Sequence, residues 1–260
     1  MKHRARKRFG QNFLTDETVI SRIIDAIAPR PDDTIIEIGP GQAALTKHLV
    51  AAGCRVHALE IDRDLAAGLA GLLGHPPNLQ VHPCDALEAD FAAITGGDVY
   101  RLAGNLPYNI STPILFHILE QAVRPADIHV MLQREVVQRI VAVPGSRVFG
   151  RLSVMVQNLC RATPLFNISP ESFTPAPRVD STLLRLQPRA QPLAEAPPLA
   201  LDRVVRAAFA RRRKTLRNSL SPLMDEASIR TAGIDPGLRA EQLSIEAFAR
   251  LARQLADPRD

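Results

Sequence analysis

Asn105, Leu106, Pro107 and Tyr108 stand in a row, with Gly104 before them and Asn109-Ile110-Ser111 after. These residue types suit one task, holding a flat heterocyclic base by its exocyclic amine. The Asn105 side chain offers a carbonyl acceptor. The Leu106 backbone carbonyl can turn to the same point, while Pro107 stiffens the turn and removes a competing N–H donor. Tyr108 supplies a ring on which a base can stack. An aromatic amine is a poor nucleophile because its lone pair is delocalised into the ring. Two acceptors fixed on its N–H groups would draw the nitrogen towards a pyramidal, attacking geometry. An ordinary Asn/Pro turn with a tyrosine packed beneath it has the same local sequence, so the surrounding elements must decide.

Those elements read as an open α/β sheet. The apolar run Val99 to Ala103 predicts a buried strand, which places the tetrapeptide at a strand's carboxyl end, where such sheets bind ligands. The strand Thr34–Ile38 runs into Gly39-Pro40-Gly41, followed by a helix predicted from Ala43 to Ala52. Glycines in a strand-to-helix turn let a ligand approach the backbone closely. A strand at Arg55–Leu59 ends in Glu60, about twenty residues past the glycines, where nucleotide-binding folds place a carboxylate for ribose hydroxyls. A further strand, Leu79–His82, leads to Asp85. Each acid alone reads as a solvated loop carboxylate. Three successive strands each ending in a nucleoside contact point to a nucleotide-like cofactor, either a dinucleotide or S-adenosylmethionine. Ala43 and Ala44 stand where a pyrophosphate would want more glycine, and hydride transfer gives no use for an amine-holding loop. A methyl donor makes one coherent reaction with it.

The chain of 260 residues is 46% hydrophobic, with no apolar run long enough for a membrane span and no signal-like start, so a soluble, cytoplasmic protein is expected. Cys54, Cys84 and Cys160 are odd in number and far apart, which suits reduced thiols and no metal centre. The net charge of +5 is concentrated at Lys2–Arg8 and Arg211–Arg217, favouring a polyanionic partner. Arg4, Arg6, Lys7 and Arg8 suit a phosphate backbone and suit a solubilising tail equally.

Five motifs occur in order: Gly10-Gln11-Asn12-Phe13-Leu14, Glu37-Ile38-Gly39-Pro40-Gly41, Glu60-Ile61-Asp62, Asn105-Leu106-Pro107-Tyr108-Asn109-Ile110-Ser111, and Phe173 to Ser181. Together they resemble the small-subunit ribosomal RNA adenine dimethyltransferase family, over nearly the whole chain. The resemblance implies a Rossmann-like methyltransferase fold, a mostly parallel seven-stranded sheet with an antiparallel strand, plus a small C-terminal all-helical domain. It implies that Asn12, Leu14, Gly39, Gly41, Glu60, Ile61, Asp85, Ala86 and Asn105 hold S-adenosylmethionine. Asn105, Leu106, Pro107 and Tyr108 would hold the target adenine, with Phe173 facing Tyr108 to clasp the base; a core phenylalanine under a loop is the other reading of Phe173. The implied target is a pair of adjacent adenines near the 3′ end of small-subunit ribosomal RNA, met on an immature subunit by a monomer without metal. Large-subunit RNA dimethyltransferases share most of these motifs, and a non-catalytic nucleic-acid-binding factor is the alternative from another class. Ala43 replaces the family's third glycine, a change of little cost if the backbone there is already helical.

Pro164–Ile168 and Val179–Leu186 read as two more strands, which the resemblance implies close the sheet as an antiparallel pair. Domain boundaries follow composition: residues 1–188 catalytic, 189–198 a Pro-rich linker, and 199–260 a helical RNA-binding domain. In the last, Leu201, Val204, Val205, Ala208 and Phe209 form one stripe, and Ser244 caps a final helix. Arg211, Arg212, Arg213, Lys214 and Arg217 read as a solvated helix end or as a phosphate patch, the second favoured by a polyanionic substrate.

Overall fold

The structure is a computed structural model, and it describes residues 11–211 and 213–255. The basic arm residues Arg4, Arg6, Lys7 and Arg8, together with Arg212, lie outside the described residues. Among the described residues no helix is long and apolar enough to cross a membrane.

In chain order the elements of the first half are β1 (Phe13–Leu14), α1 (Glu17–Ile27), β2 (Thr34–Ile38), α2 (Thr46–Ala51), β3 (Arg55–Leu59), α3 (Arg63–Leu72), β4 (Leu79–His82), α4 (Phe91–Thr95), β5 (Arg101–Asn105) and α5 (Ser111–Glu120). Then come β6 (Ile128–Gln133), α6 (Arg134–Ile140), α7 (Arg151–Leu159), β7 (Cys160–Ile168), β8 (Phe173–Thr174) and β9 (Ser181–Pro188). The C-terminal part holds α8 (Pro198–Ala210), α9 (Leu216–Ser219), α10 (Glu226–Thr231) and α11 (Ile245–Leu255). Seven strands form one sheet in the order β4-β3-β2-β5-β6-β9-β7. The pairs from β4 to β6 are parallel, and β9 runs antiparallel to β6. Parallel strands share a carboxyl end, so the loops after β2, β3, β4 and β5 open on one edge.

Strand β2 lies inside the sheet between β3 and β5, and its five residues are all buried. Helix α1 starts at Asp16, whose side chain accepts from Thr18 N–H and Val19 N–H, and it buries Val19, Ile20, Ile23 and Ile27. At the opposite edge Arg101 ties the strand starts together: its guanidinium donates to Asp127 at 2.8 and 2.9 Å, to Asp33 at 2.8 Å and to the Ile27 carbonyl at 2.6 Å. This part-buried fork ties the starts of β2, β5 and β6 to the end of α1.

Two expectations shift. Strand β5 begins two residues later than Val99, which is 74% exposed, and it carries Asn105 as its last residue. Helix α2 begins at Thr46, and Ala43 precedes it in left-handed backbone with φ +66°. The alanine is therefore strained, at about 1–2 kcal/mol. Its methyl is 2% exposed and packs with Ala58 and Leu69, which returns about 0.8 kcal/mol. Reduced freedom of the unfolded chain relative to glycine returns about 0.4–1 kcal/mol more, so the replacement is close to neutral.

The chain divides into two compact units, residues 1–137 with 163–188, and residues 138–162 with 189–260. Residues 138–162, expected in the catalytic domain, thus belong with the helices. Phe149 and Val154 enter the same core as Val204, Val205, Phe248 and Leu251. Phe209 meets Phe149 and Phe248 at centroid distances of 6.1 and 5.6 Å, and Arg151 donates to Asp202 at 2.8 Å. The Pro-rich segment is pinned to the end of α7, where Leu193 N–H reaches the Asn158 carbonyl and Ala194 N–H the Asn158 side chain. Ser244 caps α11 through Ala247 N–H.

Candidate active site

The loops at the carboxyl edge line an open cleft of about 960 Å³, solvent-open mouth included. The first turn leaves β2 with Gly39 at φ +70° and Gly41 at φ +55°, conformations that favour glycine. A side chain on Gly41 would meet the Phe13 ring at 3.0 Å, so the turn is packed as well as bent. Glu60, 5% exposed, accepts Gly41 N–H at 3.1 Å with one carboxylate oxygen and Asp62 N–H at 3.0 Å with the other. It thereby braces the glycine turn, and a carboxylate can accept about four hydrogen bonds in all. Ile61 is 39% exposed on the lip beside it. Asp85 follows β4; its Oδ1 takes Leu87 N–H at 2.9 Å, which leaves a second oxygen at the cleft wall.

Asn105 ends β5 with its amide nitrogen 2.8 Å from the Asn12 carbonyl. A carbonyl can only accept, so the nitrogen of the carboxamide must face it and Oδ1 is the acceptor that remains. The approach of β5 to β2 explains the residue before: a side chain on Gly104 would lie 2.4 Å from the Ile38 carbonyl oxygen. The strap that carries Asn12 is held on both sides. Phe13 and Leu14 of β1 pair antiparallel with Thr174 and Phe173 of β8, and Gln11 donates to Asp62 at 3.2 Å. Asp62 also caps α3 through Asp64 N–H.

Of the expected site residues, Asn12, Leu14, Gly39, Gly41, Glu60, Ile61, Asp85, Ala86, Asn105, Leu106, Pro107 and Tyr108 all line this one cleft. Phe173 does not. It is 3% exposed and packs with Leu14, Ile168 and Leu183 in the core, because its place in β8 turns it under the strap. Sequence reasoning gave no role to Gln11, Phe13 or Glu37. Glu37 is fully buried as the fourth of the five residues of β2, and its Oε2 has no partner among the described residues. Burial raises its pKa to about 7, with Thr46 opposing and the Glu60 charge adding. An acid between the isoleucines of a buried strand was the available signal. Burial likewise raises the Tyr108 phenol, and the Ser181 hydroxyl opposes it.

The ribosomal RNA adenine dimethylase family model matches residues 2–257. The chain belongs to that family. Ribosomal RNA small subunit methyltransferase A of Pseudomonas aeruginosa is 52% identical over 257 residues, covering 98% of this chain and 96% of the relative. Among solved structures, the 23S rRNA methyltransferase ErmE superposes with a TM-score of 0.70 at 29% identity, covering 94% of this chain and 99% of its own. A dimethyladenosine transferase from Plasmodium falciparum gives 0.77 at 24% identity over 92% and 95% of the two chains, a likeness of fold. The family's Rossmann-like sheet and C-terminal helices are those described above.

In the second unit, Arg211, Arg213 and Lys214 follow α8 and are exposed. Arg217 differs from them, lying 3.6 Å from Glu226, which also pairs with Arg230 at 2.8 Å.

Proposed function

We propose that this protein methylates N6 of two adjacent adenines near the 3′ end of small-subunit ribosomal RNA, twice per base, with S-adenosylmethionine as donor. It acts as a monomer in the cytoplasm on an immature small subunit. The observation that carries this is the Asn105 carboxamide, its nitrogen held by the Asn12 carbonyl, in a cleft that also holds Glu60 and Asp85.

The cleft residues fit the cofactor. A ribose diol needs an acceptor for each hydroxyl, which the two oxygens of Glu60 supply, and an adenine amine needs one, which Asp85 supplies. The buried oxygen of Glu37 that has no partner among the described residues suits the cationic methionine end beside the Gly39 turn. When bound, the cofactor supplies an electrophilic methyl on a sulfonium. Asn105 Oδ1 and the Leu106 carbonyl hold the two amine hydrogens of the target base, and Tyr108 supports its face. The amine loses its proton after the new bond forms, so the contribution of the chain is orientation and charge placement.

The small-subunit reading is supported by 52% identity to a small-subunit methyltransferase, against 29% to a 23S enzyme. Transfer of labelled methyl from S-adenosylmethionine tests it, with unmodified small subunits, large-subunit RNA and duplex DNA offered separately. Label in the small-subunit RNA is expected. Label confined to large-subunit RNA or DNA, or none, overturns the proposal.

A further inference from the structure

Two aromatic rings line the cleft, Phe13 and Tyr108. Phe13 lies against the Gly41 turn, and Tyr108 follows Asn105 by three positions in the loop that leaves β5. The loop backbone around Tyr108 is fixed at its root: Ile110 N–H donates to the Pro107 carbonyl at 3.1 Å and Ser111 Oγ–H to the Tyr108 carbonyl at 3.3 Å. The tip of the side chain is fixed separately. Its hydroxyl lies 2.5 Å from Ser181 Oγ. Ser181 is fully buried, opens β9, and is paired with Gln133 of β6 by the sheet, so it is a rigid anchor. A phenol oxygen lies on the axis of its ring. A bond at that point therefore sets where the axis points, the χ1 choice among staggered wells, and with it where the ring lies against the cleft.

We propose that Ser181 is a positioning residue for methyl transfer, holding the Tyr108 ring through its hydroxyl in the place where it supports the target base. This rests on the function proposed above. Ser181 touches neither substrate nor cofactor; it acts through Tyr108 alone.

Four proteins test it: the parent, Ser181→Ala, Tyr108→Phe and the double variant, in single-turnover methylation of small-subunit RNA. Each single change should slow transfer about tenfold, the size of one net hydrogen bond. The double variant should be no slower than either single, because both remove the same bond. Cofactor affinity by calorimetry should match the parent in all four. Multiplying effects in the double variant, or cofactor affinity falling with Ser181→Ala, would overturn the proposal. So would a Tyr108→Phe protein at the parent's rate, a test that stands even if Ser181→Ala does not fold. The chain has two tyrosines and no tryptophan, so the tyrosine doublet in ultraviolet Raman spectra reads the same hydrogen bond without catalysis. An unchanged doublet in Ser181→Ala overturns that bond. A parent that methylates no RNA overturns the function, whereas a methylating parent matched by Ser181→Ala overturns only the role of Ser181.

Discussion

At the scale of single residues, Asn105 does two things with one carboxamide. Its nitrogen holds the strap through the Asn12 carbonyl, and in the proposed mechanism its oxygen is kept for the target amine. Asn105→Ala removes both and should slow methyl transfer ~10²–10³-fold with the fold intact. Asn105→Asp keeps an acceptor but sets a carboxylate oxygen against the Asn12 carbonyl, so at least about tenfold loss is expected there too. A parent rate in either variant, measured in single turnover, contradicts the account. Glu37 gives a pH-dependent expectation. Its folded pKa is raised from 4.5 to about 7, so the folded state binds the proton more tightly than the unfolded chain does. Stability is then fullest below pH 4.5 and declines as pH rises to about 7, by about 3 kcal/mol. Glu37→Gln should remove that decline, and thermal unfolding at pH 5 and pH 8 will show whether it does.

At the scale of elements, the close passage of β2 and β5 is what brings the glycine turn and Asn105 to one place. Gly104 is the point of closest approach, and the atoms a side chain would meet are Ile38 backbone, which cannot swing aside. Gly104→Ala should cost about 3 kcal/mol or more and lower the melting temperature by about 6 °C or more. A melting temperature near the parent's would show that the strands are not forced together. The sequence made the strands and their acidic ends readable because buried parallel strands are short apolar runs and the glycines mark the turn. It did not reveal why position 104 is glycine, since closeness of two strands has no local signature. Nor did it reveal the left-handed Ala43, whose methyl is retained by packing against residues 15 and 26 positions away, Ala58 and Leu69. Of the two readings of Phe173 the core one holds, and the sequence could not choose between them because a two-residue pairing between β1 and β8 leaves no pattern in either segment.

At the scale of the whole chain, the helical C-terminal part was legible from its apolar stripe, but its recruitment of residues 138–162 was not. Phe149 and Val154 serve a core formed mostly from residues some fifty or more positions later. The basic residues after α8 carry an expectation of their own. Replacing Arg211, Arg213 and Lys214 with serine should lower the slope of log RNA affinity against log salt by about 0.7 to 0.9 for each phosphate that is no longer neutralised. Arg217→Ser should change it less, because Arg217 is already paired with Glu226. A salt titration in which the triple variant keeps the parent's slope removes these residues from the RNA interface. The central claim is that the cleft holds an adenine by its exocyclic amine, and the modified base itself tests that most directly. Small-subunit RNA treated with the protein and S-adenosylmethionine should yield, by mass spectrometry, two adjacent adenines each carrying two methyl groups on N6. Methyl groups on a ring nitrogen, on a ribose hydroxyl or on another base would contradict it.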